Sequence, residues 1–317
     1  MVIECHAPVR VDFAGAWTDV SYFAEPFGGA TLNAAIQIYV VGSLEEQDRE
    51  APVLRNGELA VSGPSGKYLI TSTPAMTVTY GSDIPAGSGL GTSATLNVVW
   101  LALARREEVT SREDRMRMAA LAYDIEKTLG IIGGKQDQYA SAVGGINLFE
   151  FTAEGVTCHP VELSEPRRQE LERLLVLVYT GRPRLSSNIH RNVWGNFRAG
   201  REDNIRALFS LRESAYEARQ ALQEWDLEAF ARIVTHQRHY MKRLDASTSN
   251  QQIEDLFALA EPHILGGKPC GAGGGGCLLF IAKSTAAKER LHEALRGLGL
   301  SPLDVQFDFE GLVVTRK

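Results

Sequence analysis

Between residues 85 and 94 the chain reads Pro85-Ala86-Gly87-Ser88-Gly89-Leu90-Gly91-Thr92-Ser93-Ala94, three glycines and three hydroxyl residues ahead of a helical run. A glycine-rich turn entering a helix N-terminus aims several backbone N–H groups at one point, with the helix dipole behind them. That is an anion site, and phosphate is its common occupant. The bare backbone at Gly87, Gly89 and Gly91 allows close approach, and Thr92 and Ser93 add hydroxyls where a phosphate or its metal ion would sit. The plain alternative is a flexible loop; the helix start favours phosphate. No lysine lies between 85 and 95, so the segment is not a Walker A loop.

Two carboxylates follow. Glu126 lies in the last turn of a helix, and Asp137 comes eleven residues later, beyond Gly130, Gly133 and Gly134. Asp137 would open a short helix over 136–143, where the helix dipole favours negative charge. A carboxylate held this way can accept the proton of a substrate hydroxyl. Glu126, with a hydroxyl such as that of Ser93, offers the oxygen ligands that Mg²⁺ prefers beside a nucleotide's phosphates. Taken alone, Glu126 reads first as a solvated helix residue, and Asp137 reads equally as an ordinary helix N-terminal aspartate. Beside a phosphate loop the chemical reading gains.

A third run, Gly271-Ala272-Gly273-Gly274-Gly275-Gly276, satisfies GxGxxG. A dinucleotide fingerprint needs a strand before it and a helix after it. Here a helix near 250–261 precedes and a strand over 277–282 follows, so that reading fails. The run reads instead as a loop passing against a ligand or against the other glycine loop. Of 30 glycines in 317 residues, 4 lie in 81–91, 5 in 130–145 and 7 in 266–276. Such clustering marks backbone that bends sharply or lies close to something.

The elements around these segments are legible in part. Val9–Phe13 alternates and 35–44 is β-branched and aromatic, so both read as strands. Gly57, Gly63-Pro64 and Gly66 punctuate hairpins before a strand-like stretch near 67–80. Helices are expected over 93–108 and from Ser111, an N-cap with Asp114 at the capping-box position, to a stop at Gly130. A strand over 145–149 and a polar interruption around Glu165-Pro166-Arg167 come next, and the domain boundary is placed there. Beyond it lie a strand over 174–179, helices near 201–224, 226–243 and 250–261, and two strands, 277–281 and 312–314, flanking a helix near 285–297. The pattern is α+β in two domains, 1–168 and 169–317.

Composition mainly excludes. Lys plus Arg is 33 and Asp plus Glu 39, a net charge of −6 that leaves no basic field for nucleic acid. Residues 1–6 lack the apolar core of a secretory leader, and no apolar run approaches the roughly 18 residues that span a bilayer. Cysteines at 5, 158, 270 and 277 form no metal-ligand spacing, and Cys277 reads as a core thiol. A reducing cytoplasm is the simplest setting.

The three segments in this order resemble the GHMP small-molecule kinases. The first family motif is matched by Pro8-Val9-Arg10-Val11-Asp12-Phe13-Ala14-Gly15 with Thr18-Asp19, the second by residues 85–94, and the third by Gly271–Gly276 entering the Cys277 strand. The resemblance spans nearly the whole chain. It implies a ribosomal S5 domain 2-like N-terminal domain and a ferredoxin-like C-terminal domain, with the active site between them. It also implies ATP and Mg²⁺ as cofactors and a small-molecule acceptor, with no nucleic-acid or membrane partner; a homodimer is compatible with it. By the same resemblance Asp137 is the catalytic base and Arg10 the cation beside it. Ser93 and Glu126 hold the metal. Pro85, Gly87, Ser88, Gly89, Leu90, Gly91, Thr92 and Ser93 hold the nucleotide, joined by Gly273 and Gly274, and Asp19, with Thr18 and Trp17, meets the acceptor.

Residues 15–19 and 27–36 resemble the fucokinase and heptose 7-phosphate kinase branch, which implies phosphoryl transfer to an anomeric hydroxyl. Trp17 and Asp19 argue against a mevalonate- or homoserine-type kinase, and the presence of Ser93, Glu126 and Asp137 argues against a non-catalytic sensor. A basic run, Arg182, Arg184, His190, Arg191 and Arg198, reads as either a solvated face or a site for a phosphate already on the acceptor, with Arg184 as its expected contact.

Overall fold

The computed structural model describes residues 2–46, 58–61, 67–73, 76–85, 87–182 and 186–317. Arg184 and the hairpin glycines Gly57, Gly63 and Gly66 lie outside them.

The chain begins with β1 (Val2–Ala14), α1 (Ser21–Phe27) and β2 (Gly29–Glu46), followed by β3 (Glu58–Val61), β4 (Lys67–Thr73) and β5 (Met76–Ser82). β2 organises the first sheet. Antiparallel to β1 along most of its length, it pairs through 29–34 with β6 (Ile146–Phe151) and through 40–46 with β5. β7 (Val156–Pro160) extends the β6 edge. The stretch expected as one strand near 67–80 is two antiparallel strands, β4 and β5.

Three helices carry the cleft side of this sheet: α2 (Thr92–Arg105), α3 (Arg112–Thr128) and α4 (Gln136–Val143). Their ends follow local chemistry. Ser111 and Asp114 form a reciprocal capping box at the start of α3, and Gly130, at φ 73°, turns the chain away after its last residues. α2 buries Val98, Leu101 and Ala102, the face its periodicity indicates.

The polar interruption at 165–167 is the first turn of a helix, α5 (Glu165–Leu174), a correction to the sequence reading. Pro166 sits where a missing N–H costs nothing, and Glu165 accepts from Arg168 and Gln169. The second sheet then opens with β8 (Leu175–Tyr179). Helices α6 (Ser186–Arg198), α7 (Glu202–Glu224), α8 (Leu227–Leu244) and α9 (Gln251–Ala260) lead to β9 (Ile264–Pro269) and β10 (Cys277–Ala282). α10 (Thr285–Gly297) and β11 (Pro302–Asp304) complete it. The order β11-β8-β10-β9 is that of a ferredoxin-like sheet, its first crossover expanded to four helices. α6, read from sequence only as a charged run, forms because Ile189, Val193 and Trp194 recur at helical spacing and are buried.

The 312–314 strand, read from sequence in the second half of the chain, belongs to the first sheet: β12 (Val313–Arg316) pairs antiparallel with β1. Chain ends therefore meet in one sheet, and the apolar core runs continuously from it into the α7–α8 pair. Phe13 of β1 packs edge-on to Phe230 of α8 at 5.2 Å. Full burial of each ring contributes roughly 1.5–3 kcal/mol. Cys277 is fully buried, as expected of a core thiol. Among the described residues no helix is long and apolar enough to cross a membrane.

Candidate active site

The end of β1, the 87–91 turn, the α3–α4 connection and the start of α6 converge on an open cleft of about 230 Å³. Its wall on one side is the N-terminus of α2. Gly91 caps that helix in the left-handed conformation, φ 78°, with no side-chain cap and no acidic residue in the first turn. The first-turn N–H groups of any α-helix lack intrahelical partners. Those of α2 thus open toward a cleft lined by Gly87, Gly89, Gly91, Thr92 and Ser93. This is the segment where the sequence reading expects an anion cradle, and it faces the cleft. Ser88 and Leu90 are fully buried, and the Ser88 hydroxyl is engaged with Thr92 Oγ1 at 3.1 Å, so these two residues shape the turn from behind. Pro85 is exposed and does not line the cleft.

The third glycine run packs against this turn. The Cys277 N–H donates to the Ser88 carbonyl at 2.6 Å, and a Cβ at Gly276 would stand 2.4 Å from the same oxygen. Of the two alternatives the sequence left, the run lies against the other glycine loop. Gly271 and Ala272 reach the cleft; Gly273 and Gly274, expected as nucleotide contacts, do not. Their would-be Cβ positions meet the carbonyls of Thr248 and Ser247, and the Gly274 N–H donates to Thr248.

Arg10, at 2 % exposure, turns its side chain to Asp137 at the start of α4. Its Nε donates to Asp137 Oδ1 at 2.8 Å, a terminal nitrogen stands 2.6 Å from the same oxygen, and the other donates to the Gly89 carbonyl at 2.7 Å. One side chain thereby ties the base candidate to the phosphate turn. Burial opposes the guanidinium charge, but Asp137 and Asp12 outweigh it and the Arg10 pKa is raised. Asp137 is also close to the cradle itself: a Cβ at Gly91 would lie 3.1 Å from its carboxyl carbon.

Asp19 is held by the same helix start from the opposite side. The Gln136 N–H donates to Asp19 Oδ2 at 2.9 Å, and a Cβ at Gly134 would lie 1.8 Å from that oxygen. The second glycine cluster therefore admits Asp19 as well as positioning Asp137, a role not foreseen from sequence. Burial pushes the Asp19 pKa up to about 6, against the stabilising Gln136 N–H. Thr18 is otherwise engaged: its hydroxyl lies 2.8 and 2.9 Å from the Gly15 and Ala30 carbonyls, which compete for its one proton, and accepts from the Ala30 N–H. Trp17 lines the cleft with φ 81°, unusual for a bulky residue, and its ring lies 4.6 Å from that of His190 on α6. Of the described basic residues in 182–198, His190 alone lines the cleft; Arg182, Arg191 and Arg198 are exposed elsewhere.

Glu126 also faces the cleft, buried, with Asn97 donating to Oε1 at 2.6 Å and Gln138 to Oε2 at 2.8 Å. These two amides fix the carboxylate, a role the sequence reading gave to neither. Burial raises the Glu126 pKa to about 7. The donor set fits Mg²⁺: a carboxylate across the cleft from the exposed hydroxyl of Ser93, all oxygen. Among the described residues no cluster of three His, Cys, Asp or Glu could hold a metal alone, so phosphate and water oxygens would complete such a site.

Comparison with known proteins places the chain in a family. Residues 61–145 match the GHMP kinases N-terminal domain and residues 218–299 the GHMP kinases C-terminal domain. The D-glycero-alpha-D-manno-heptose 7-phosphate kinase of Campylobacter jejuni is 29% identical over 98% of both chains. The bifunctional fucokinase/GDP-fucose pyrophosphorylase of Arabidopsis thaliana is 28% identical over 91% of this chain, which spans only 30% of that longer protein. The crystal structure of a D-glycero-D-manno-heptose 1-phosphate kinase from Bacteroides thetaiotaomicron superposes with a TM-score of 0.75 at 26% identity over 99% of both chains. Together these matches mark a two-domain kinase, a phosphotransferase with a hydroxyl acceptor. The chain belongs to the GHMP kinases.

Proposed function

We propose that this protein is an ATP- and Mg²⁺-dependent sugar kinase that phosphorylates the anomeric hydroxyl of a sugar or sugar phosphate of the heptose 7-phosphate or fucose type. The observation that carries the reading is the Arg10–Asp137 pair set against the uncapped start of α2. A base, a cation and an anion cradle then share one small cleft, as phosphoryl transfer requires.

Asp137 accepts the acceptor hydroxyl's proton as the oxygen attacks. Arg10 stays bonded to Asp137 and to Gly89, orients the carboxylate and offsets charge that develops on the transferred group. The first-turn amides of α2 and the glycine backbone bind the phosphates of the donor. Ser93 and Glu126 would hold Mg²⁺, which when bound supplies positive charge to the phosphate oxygens. Asp19, across the start of α4 from Asp137, grips acceptor hydroxyls, and Trp17 with His190 forms the aromatic wall against which a ring can pack. The homologies to heptose phosphate kinases and fucokinase support a sugar acceptor over mevalonate or homoserine.

A coupled ADP-release assay across fucose, galactose, mannose and heptose 7-phosphate tests this, with mevalonate and homoserine as controls. Turnover with one of the sugars and none with the controls is expected. Turnover with mevalonate or homoserine alone, or sugar binding without ATP consumption, overturns it.

A further inference from the structure

Asp12 follows Arg10 by two positions on β1, so both side chains leave the same face of the strand. Asp12 is fully buried, and so is Lys268 of β9 in the second sheet. Their side chains form a close ion pair, the Lys268 ammonium also donates to the Asp12 carbonyl at 2.9 Å, and the Gly271 N–H donates to Asp12 Oδ1 at 2.8 Å. Four charges therefore alternate from the cleft inward, Asp137, Arg10, Asp12 and Lys268, and the last belongs to the other sheet.

Within this row the Arg10 guanidinium stands between two carboxylates. Its bonds go to Asp137, while Asp12 Oδ1 is 3.7 Å from the terminal nitrogen that donates to Gly89. A carboxylate so near a guanidinium in a buried setting competes strongly for it. Asp12 does not win because Lys268 already balances its charge at one oxygen and the Gly271 N–H is bonded to the other.

We propose that Lys268 is a positioning residue: by occupying Asp12 it keeps Arg10 turned toward Asp137, and so links the second sheet and its glycine run to the alignment of the catalytic pair. This rests on the reading of Arg10 and Asp137 given above. Lys268 does not line the cleft. Without it, Asp12 holds an uncompensated buried charge whose nearest cation is Arg10. Arg10 would swing toward Asp12 and release Asp137, while the amides of the phosphate cradle stay in place.

A role confined to stability makes a different demand. Lys268→Met and Asp12→Asn each leave one buried charge unpaired and would weaken the fold alike, whereas only the lysine variant frees a competitor for Arg10. The Arg10 Nε–Hε resonance of ¹⁵N-labelled protein, assigned with Arg10→Lys, reads the difference directly. The expected result is displacement of that resonance in Lys268→Met, as in Asp137→Asn, and a wild-type position in Asp12→Asn and in the double variant. At saturating substrates kcat of Lys268→Met falls about 100-fold, KM for ATP and acceptor stays within about threefold, and the double variant recovers most of the loss. An unmoved resonance in Lys268→Met, or a displaced one in Asp12→Asn or the double variant, overturns the proposal. Should Lys268→Met not fold, Lys268→Gln is read in its place: it removes the same cation beside Asp12 and is expected to displace the resonance, and an unmoved one overturns the proposal. If the wild type phosphorylates no acceptor, the functional reading fails while the resonance still judges this one.

Discussion

Arg10 and Asp137, 127 positions apart in sequence, meet through two nitrogen contacts of 2.8 and 2.6 Å to one carboxylate oxygen. The arrangement leaves the second Asp137 oxygen outside these contacts and holds the first rigidly, which suits a base that must face a hydroxyl in one orientation. Asp137→Asn keeps the shape and loses the proton acceptor. A fall in kcat of about 10³-fold with nucleotide affinity nearly unchanged is expected from steady-state kinetics and titration with a non-hydrolysable ATP analogue.

The raised pKa of Asp19 makes unliganded stability depend on pH in a defined direction. Its folded value of about 6 exceeds the ordinary 3.8, so the native state binds the proton more tightly than the unfolded chain. That contribution is fully present below about pH 4 and lost as pH rises through 6; the gap corresponds to roughly 3 kcal/mol. Asp19→Asn removes the titration. Its melting temperature relative to wild type should therefore climb by several degrees between pH 4 and pH 8 in the absence of ligand. A constant offset contradicts the burial argument.

Two adjacent glycines should respond very differently to a methyl group. A Cβ at Gly134 would lie 1.8 Å from Asp19 Oδ2, whereas at Gly133 the nearest atom is Glu126 Oε2 at 3.8 Å. Gly134→Ala must push the Asp19 carboxylate off the Gln136 N–H. It is expected to raise acceptor KM tenfold or more, about 1.4 kcal/mol, with KM for ATP little affected. Gly133→Ala should stay within about threefold of wild type on both.

Glu126 is expected to act through the metal. Glu126→Gln retains the volume and one amide contact but removes the negative charge. The Mg²⁺ concentration giving half-maximal activity should rise about 10-fold or more, while acceptor KM at saturating metal changes little. An unchanged Mg²⁺ dependence would remove Glu126 from the metal site.

Much of this site was legible because its signals are local. A glycine turn entering a helix, a capping box at Ser111 and Asp114, and an aspartate opening a short helix each lie within a few residues, and the structure has all three. What escaped is long-range. Lys268 meets Asp12 across 256 positions, and no periodicity in either strand marks the pair. Asn97 and Gln138 hold Glu126 from two different helices, a convergence that only the packing of α2, α3 and α4 creates. A glycine run signals close approach without saying to what; at Gly273 and Gly274 the neighbour is the backbone at 247–248. The α6 helix was hidden behind its charges, since its apolar positions are few and polar residues fill the rest.

Phosphoryl transfer to an anomeric hydroxyl by the Asp137–Arg10 pair is open to one decisive measurement, ³¹P–¹H correlation NMR of the product formed from ATP and the best sugar acceptor. A phosphate coupled to the anomeric proton is expected, formed by the wild type and absent with Asp137→Asn. A phosphate coupled to any other sugar proton, or the same product formed at undiminished rate by Asp137→Asn, would refute the assignment.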